Sequence, residues 1–166
     1  NESLKNTAGN EQSFTITTGV KRNWGISSIS VSRYRLETGF FSGAVGIPRA
    51  YSLEEDGNSR DIDFPSQEIT HWKASFNQLI YFNEDDHIAL DIGYQKNMRR
   101  EFSFPESLYT PLSETGADNN LALGFDLETY SLNFHYENNT GNNWKWIHGG
   151  QFQYQQNARS GFGFLI

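Results

Sequence analysis

The sequence contains no cysteine among its 166 residues, so disulfide bonds, thiolate metal sites and a cysteine nucleophile are excluded. No run of about 18 apolar residues occurs, which excludes a membrane-spanning helix. The polar residues 1–12 lack the positive start and apolar middle of a signal peptide. The 13 Lys and Arg are outnumbered by 20 Asp and Glu, giving a net charge of −7. Such a charge disfavours non-specific binding to nucleic acid or anionic lipid.

Aliphatic side chains are also scarce, and much of the apolar content comes from aromatic rings: 13 Phe, 8 Tyr and 4 Trp. Rings with a polar end are favoured where one end is apolar and the other is wet. The length suits one domain. Because the sequence starts at Asn1 without methionine and stops abruptly at Ile166, we expect a segment of something longer.

Helix signals are few, whereas apolar residues recur at every second position, as in a half-buried strand. Residues 72–82 and 88–94 each carry apolar side chains on one face, and the turn 83–86 separates them. This pattern predicts a hairpin whose apolar face includes Phe76, Ile80, Ile88, Leu90 and Ile92.

A second hairpin is predicted over residues 121–154, but its alternation slips. Leu121 to Leu127 alternate on odd positions, and Tyr130 to Tyr136 on even ones. We predict a bulge near Glu128–Thr129, with a tight turn as the alternative. A similar slip occurs near Ser32–Arg33 in an earlier pair of strands.

The chain is therefore predicted to be all-β, an antiparallel up-and-down meander of about six strands. Short connections are expected near residues 21–25, 83–86 and 138–143, and long ones over 40–69 and 104–119. Strands joined alternately by short and long connections are typical of outer-membrane β-barrels. In such barrels the outer face is apolar and aromatic residues lie at the headgroups, as expected for Tyr136, Trp144 and Trp146. A soluble antiparallel sheet with one apolar face fits the same alternation.

Four segments, in order, carry a resemblance to a known family. They are GAVGIPRAYSLEEDGNSRDIDFPSQEITHWK (43–73), LDIGYQKNMRREF (90–102), LETYSLNFHYE (127–137) and WIHGGQFQYQQN (146–157), followed by FGFLI. Together they resemble the barrel of TonB-dependent outer-membrane receptors of the Bacteroidetes type. The resemblance implies that residues 1–166 are an interior slice of a large transmembrane barrel, without signal peptide, TonB box or plug.

The resemblance also implies a function. The parent receptor would lie in the Gram-negative outer membrane and import a scarce nutrient such as an iron chelate, a cobalamin or a glycan. Its partners would be outer-membrane lipid and, through parts outside this sequence, the TonB complex. An isolated fragment is expected to self-associate to hide its apolar face. The alternatives are a soluble β-sandwich that binds a ligand or carbohydrate, and another outer-membrane barrel such as a porin.

Candidate site residues lie in or near the long connection 40–69. Gly43 and Gly46 are expected to allow tight turns and Pro48 to fix the approach to Arg49. The candidate ligand-binding residues are Arg49, Tyr51, Gln67 and His71. Alternatively, Arg49 pairs with Asp61 or Asp63 and organises the loop.

No catalytic, metal or cofactor site is expected. The loop carboxylates have no nearby histidine base and there is no Gly-x-Ser-x-Gly elbow, and the run DGNSRD fails the calcium-loop spacing. The four histidines are scattered along the sequence, so only the fold could bring them together. On the predicted faces, His71 and His135 lie on the polar side and His148 on the apolar side.

Overall fold

The computed structural model describes residues 6–40, 60–62, 64–102, 121–140 and 144–161. In that part of the chain there is no helix, and six strands form one sheet. The strands are β1 (Gly9–Arg22), β2 (Gly25–Gly39), β3 (Ser66–Tyr81), β4 (His87–Phe102), β5 (Leu121–Thr140) and β6 (Trp144–Ser160). Their order in the sheet is their order in the chain, and every neighbouring pair is antiparallel. The all-β up-and-down meander is therefore confirmed.

The connections alternate in length, which gives the sheet two different ends. Residues 23–24, 82–86 and 141–143 make the short connections, and residues 40–65 and 103–120 make the long ones. We refer to these as the short-turn end and the long-loop end. Residues 66–69, which the sequence assigned to a long connection, instead belong to β3.

Two of the short turns have clear local causes. Gly25 has a φ of +150°, and a Cβ at this position would collide with the carbonyl oxygen of Leu79. Only glycine avoids both problems at the β1–β2 turn. In the β3–β4 turn, the Asn83 Oδ1 accepts hydrogen bonds from the backbone amides of Asp85 and Asp86, each at 2.8 Å. This is the side-chain turn that asparagine favours.

The predicted bulge at Glu128–Thr129 is wrong, and so is the alternative of a tight turn there. β5 pairs residue for residue with β4 and with β6 through this point. Its register shift against β4 lies instead between Glu101 and Phe102. The apolar residues of β5 change face without any break in pairing, and those of β2 do the same at Ser32–Arg33.

The two changes of face have a common explanation. Arg33 of β2 stands opposite Trp72 of β3, which stands opposite Lys96 of β4, and Lys96 in turn stands opposite Glu128 of β5. Arg33 and Glu128 therefore lie in one transverse row of the sheet. Side chains directly opposite each other share a face. The two irregularities in the sequence are therefore a single boundary that runs across the sheet.

The sheet has no hydrophobic core in the described residues, because none of their hydrophobic side chains is buried. Even side chains at the middle of the sheet are exposed, including Phe76 (36%), Ile92 (46%) and Leu132 (37%). Within the same residues each strand contacts only its sequence neighbours. The outer edges of β1 and β6 consequently pair with no other described strand. No helix long and apolar enough to cross a membrane occurs in the described part of the chain.

Candidate functional site

The two faces of the sheet differ sharply in chemistry. One face, the apolar face, carries the even-numbered side chains of β1, β3, β4 and β6, the odd-numbered ones of β2, and the even-numbered ones of β5 from Gly124 onward. Its middle is a continuous surface that crosses all six strands, which we call the apolar band. Its members are Ile16, Val20, Ile29, Val31, Phe76, Ile80, Ile88, Leu90, Ile92, Tyr94, Tyr130, Leu132, Phe134, Tyr136, Phe152 and Tyr154.

The apolar band and the aromatic residues next to it together match the thickness of a membrane's apolar layer. Along β6, apolar-face residues from Trp144 to Tyr154 are aromatic except for His148 and Gly150. At roughly 3.3 Å per residue this stretch is about 33 Å long. A strand tilt of about 40° reduces its height to about 25 Å, which is the height of the apolar belt on an outer-membrane barrel.

One pair of polar side chains on the apolar face forms its hydrogen bonds within the protein. Ser27 and Gln78 lie directly opposite each other on this face. The Ser27 hydroxyl donates to the Gln78 Oε1 at 2.5 Å, and the Gln78 Nε2 donates to the carbonyl oxygens of Ile26 (3.3 Å) and Leu79 (3.2 Å). Both amide hydrogens and the amide oxygen are thereby used, which is what an apolar surrounding requires.

Aromatic rings collect at the short-turn end. Trp144 and Trp146 begin β6 and are 69% and 53% exposed, and Trp24 and Phe82 lie in the neighbouring turns. The Phe82 ring meets that of Tyr136 edge to face at 6.4 Å. The structure therefore brings the predicted aromatic cluster together and adds Trp24 and Phe82, which periodicity along single strands did not reveal.

The apolar band ends toward the long loops at a mixed row of charged, amide and aromatic side chains, which we call the boundary row. It contains Phe14, Arg33, Trp72, Lys96, Glu128 and Gln156. Lys96 Nζ donates to Glu128 Oε1 at 2.9 Å, and Gln156 Nε2 donates to Glu128 Oε2 at the same distance. The Arg33 guanidinium lies 5.3 Å from the centre of the Trp72 ring, a cation–π contact.

The boundary row lies outside the apolar band, and its ion pair keeps both partners charged. The hydrogen bond from Lys96, followed by that from Gln156, lowers the pKa of Glu128. The same hydrogen bond raises the pKa of Lys96. Beyond this row the same face continues with ion pairs, such as Arg100 with Asp126 at 2.6 Å. Charge is thus concentrated at one end of the face.

The opposite face, the polar face, is lined in its middle by small and amide side chains. They include Thr15, Thr17, Ser28, Ser30, Ser75, Asn77, Gln95, Thr129, Ser131, Asn133, Gln151, Gln153 and Gln155. Most of these amides use only part of their hydrogen-bonding capacity on described protein groups. Gln155, for example, donates one hydrogen bond from its Nε2 to Thr129 Oγ1 at 3.1 Å. Such a surface is stable against water.

Only part of the predicted ligand set falls on described residues. Gln67 is buried in β3 at the long-loop end, where its Nε2 donates to Glu101 Oε1 at 3.1 Å. His71 lies on the polar face of the same strand and is half-buried. Gln67 is thus held by a neighbouring strand. Asp61 is exposed.

The other predicted loop residues lie outside the described residues: Gly43, Gly46, Pro48, Arg49, Tyr51 and Asp63. The pairing of Arg49 with Asp61 or Asp63 stays a prediction.

The register places the histidines on the predicted faces and brings two of them together. His135 and His71 lie on the polar face and His148 on the apolar face. His87 and His135, on neighbouring strands, have ring centres 6.2 Å apart. Glu137 lies beside both. No sequence pattern revealed this cluster, because it depends on the β4–β5 register across a long connection.

Comparison with protein-family models, with curated proteins and with solved structures finds no match for this chain.

Proposed function

We propose that this chain is part of the barrel wall of a TonB-dependent receptor in a Gram-negative outer membrane. The apolar band would face lipid and the polar face would line the interior. The observation that carries this proposal is the apolar band itself. It crosses all six strands at one height, is backed by a polar face, and has no described helix or second sheet covering it.

The free edges of the sheet support the same proposal. In hydrocarbon, each backbone amide and carbonyl needs a protein partner, so only closed sheets are stable there. β1 and β6 expose long outer edges of 14 and 17 residues. In a soluble protein such edges are hazardous templates for aggregation. In a barrel they would pair with the adjoining strands.

The position of charge also fits a membrane orientation. The boundary row lies on the side of the apolar band nearest the long loops, and the aromatic cluster lies at the short turns. Outer-membrane barrels have long extracellular loops and short periplasmic turns. The paired charges would then meet the outer headgroups. The receptor's activity would be import of a scarce, bulky nutrient, an iron chelate, a cobalamin or a glycan, driven by the TonB complex.

The membrane assignment can be tested by cysteine labelling, since the chain contains no native cysteine. Leu132→Cys and Asn133→Cys place the thiol on opposite faces at the same height. In outer membranes carrying the protein from its complete reading frame, a lipid-soluble maleimide should label Leu132→Cys. A charged, water-soluble maleimide should prefer Asn133→Cys.

The unsubstituted protein controls for cysteines elsewhere in the reading frame. Equal labelling of both positions by the charged reagent, or absence of the protein from the outer-membrane fraction, would contradict the membrane assignment. A soluble sandwich would instead protect Leu132→Cys from both reagents.

The transport role needs a separate test. Deletion of the gene should slow growth when one nutrient is limiting, with the candidate iron chelates, cobalamins and glycans supplied in turn. Complementation should restore growth. If the protein is in the outer membrane but no nutrient shows an effect, the porin alternative is favoured.

A further inference from the structure

Two histidines and one carboxylate meet on the polar face near the short-turn end. His87 of β4 lies directly opposite Glu137 of β5, and His135 precedes Glu137 by two residues on the same face. The Nε2 atoms of His87 and His135 lie 3.8 and 3.9 Å from Glu137 Oε1. One ligand atom from each residue can be chosen so that all three lie within 4.8 Å of one another.

We propose that His87, His135 and Glu137 form a binding site for a divalent transition-metal ion of the zinc type. The inference does not depend on the membrane assignment, because the polar face meets water whether the sheet lines a barrel or belongs to a soluble protein.

The geometry is close to that of a zinc site. Zinc binds imidazole nitrogen and carboxylate oxygen at about 2.0–2.2 Å, so two ligands of a tetrahedral ion are about 3.4 Å apart. The two nitrogen–oxygen distances exceed this by only about half an ångström. Small side-chain rotations would close that gap. Two histidines and one glutamate also leave a fourth position for water.

The surroundings hold the ligands in place. The ring of His87 packs edge to face against Tyr81 at 6.4 Å and against His135 at 6.2 Å. The Glu137 side chain is only 18% exposed. Restricted ligands lose less freedom on binding an ion than mobile surface side chains do.

Lys145 of β6 competes with a bound metal ion for the Glu137 carboxylate. Its ammonium group pairs with Glu137 Oε2, which leaves Oε1 facing the histidines. The pair orients the carboxylate, but its positive charge also opposes a second cation. The Lys145 side chain is 51% exposed and can move into water when an ion binds.

The test is a titration of the complete folded protein with zinc ion in competition with a chromophoric chelator, in detergent micelles if the protein is in the outer membrane and in detergent-free buffer if it is soluble. The unsubstituted protein should bind one zinc ion per chain at this site. His135→Ala and Glu137→Gln should each weaken binding by at least about 100-fold, because loss of an outer-shell partner alone costs 10–100-fold. Lys145→Met should tighten binding several-fold.

His148→Ala is the matched control, since it removes a histidine that lies on the opposite face of the sheet. It should leave zinc affinity unchanged. Far-UV circular dichroism checks that each variant keeps its β-structure, and Glu137→Gln preserves side-chain shape if His135→Ala fails to fold. Unchanged affinity in Glu137→Gln, or no zinc binding tighter than millimolar in the unsubstituted protein, would overturn the proposal.

Discussion

Leu132→Arg is the substitution that best separates a lipid-facing sheet from a water-facing one. Leu132 lies on the apolar face midway along β5 between Glu128 of the boundary row and Tyr136 of the aromatic cluster. Each is about 13 Å away along the strand. With a tilt of about 40°, Leu132 would sit about 10 Å in height from each of these two residues, inside the apolar belt.

The expected cost follows from that depth. Arginine on the lipid face of a barrel costs about 2–4 kcal/mol at the midplane and less toward the interfaces, so about 2 kcal/mol is expected for Leu132→Arg. A value of about 2 kcal/mol corresponds to a change of about 30-fold in the folding equilibrium. Asn133→Arg introduces the same side chain one residue further along the same strand, but on the polar face. Its expected effect is within about 0.5 kcal/mol.

The assay is equilibrium unfolding of the complete protein in urea, measured in lipid vesicles for both variants. The difference between the free energies of unfolding of the two variants measures the effect of the face on which the arginine lies. A difference smaller than about 1 kcal/mol would refute the reasoning. A soluble sandwich is recognised separately, because the protein would then fold in lipid-free buffer and lose stability there on Leu132→Arg.

Three further predictions concern local features and can be measured by the same unfolding assay. Gly25→Ala should destabilise the protein by at least about 1 kcal/mol, since it combines a positive φ with a collision at the Leu79 carbonyl. Asn83→Ala should cost about 1 kcal/mol, because two turn amides lose their acceptor. Glu128→Gln should make the free energy of unfolding depend less on pH in the acid range. The lowered pKa of Glu128 makes its contribution present above about pH 4.3 and lost as the pH falls further.

Each of these predictions has a contrasting control. Gly9→Ala, at a strand position with room for a Cβ, should be nearly neutral beside Gly25→Ala. Asn83→Ser keeps an acceptor oxygen without placing a second carboxylate against Asp86, and should retain part of the turn's stability. Glu11→Gln removes one charge at an exposed carboxylate of β1 and should change the free energy of unfolding by less than about 0.5 kcal/mol. Equal effects of a variant and its control would contradict the corresponding explanation.

Strand positions and faces could be predicted from the sequence because period-two alternation is a local property. The faces of Phe76, Ile92 and Leu132 and the turn at Asn83 followed from it directly. The bulge predicted at Glu128 is wrong because the prediction considers only one strand at a time. The charge there is compensated by Lys96 on the next strand, and only the register across the sheet shows that pairing.

The metal-binding cluster could not be predicted for the same reason. His87 and Glu137 are separated by the long connection 103–120, so nothing local determines which residue of β5 stands opposite His87. The burial of Gln67 against Glu101 likewise depends on the β3–β4 register and on an earlier start of β3 than periodicity indicated.

The boundary row could be used to estimate the depth of a strand in the proposed membrane. If the sheet faces lipid, the parity exchanges at Arg33 and Glu128 would lie at one common height above the bilayer centre, and so would such an exchange in a related strand. Additional strands of the same wall could then be aligned vertically from their own parity exchanges, before any pairing between them is known.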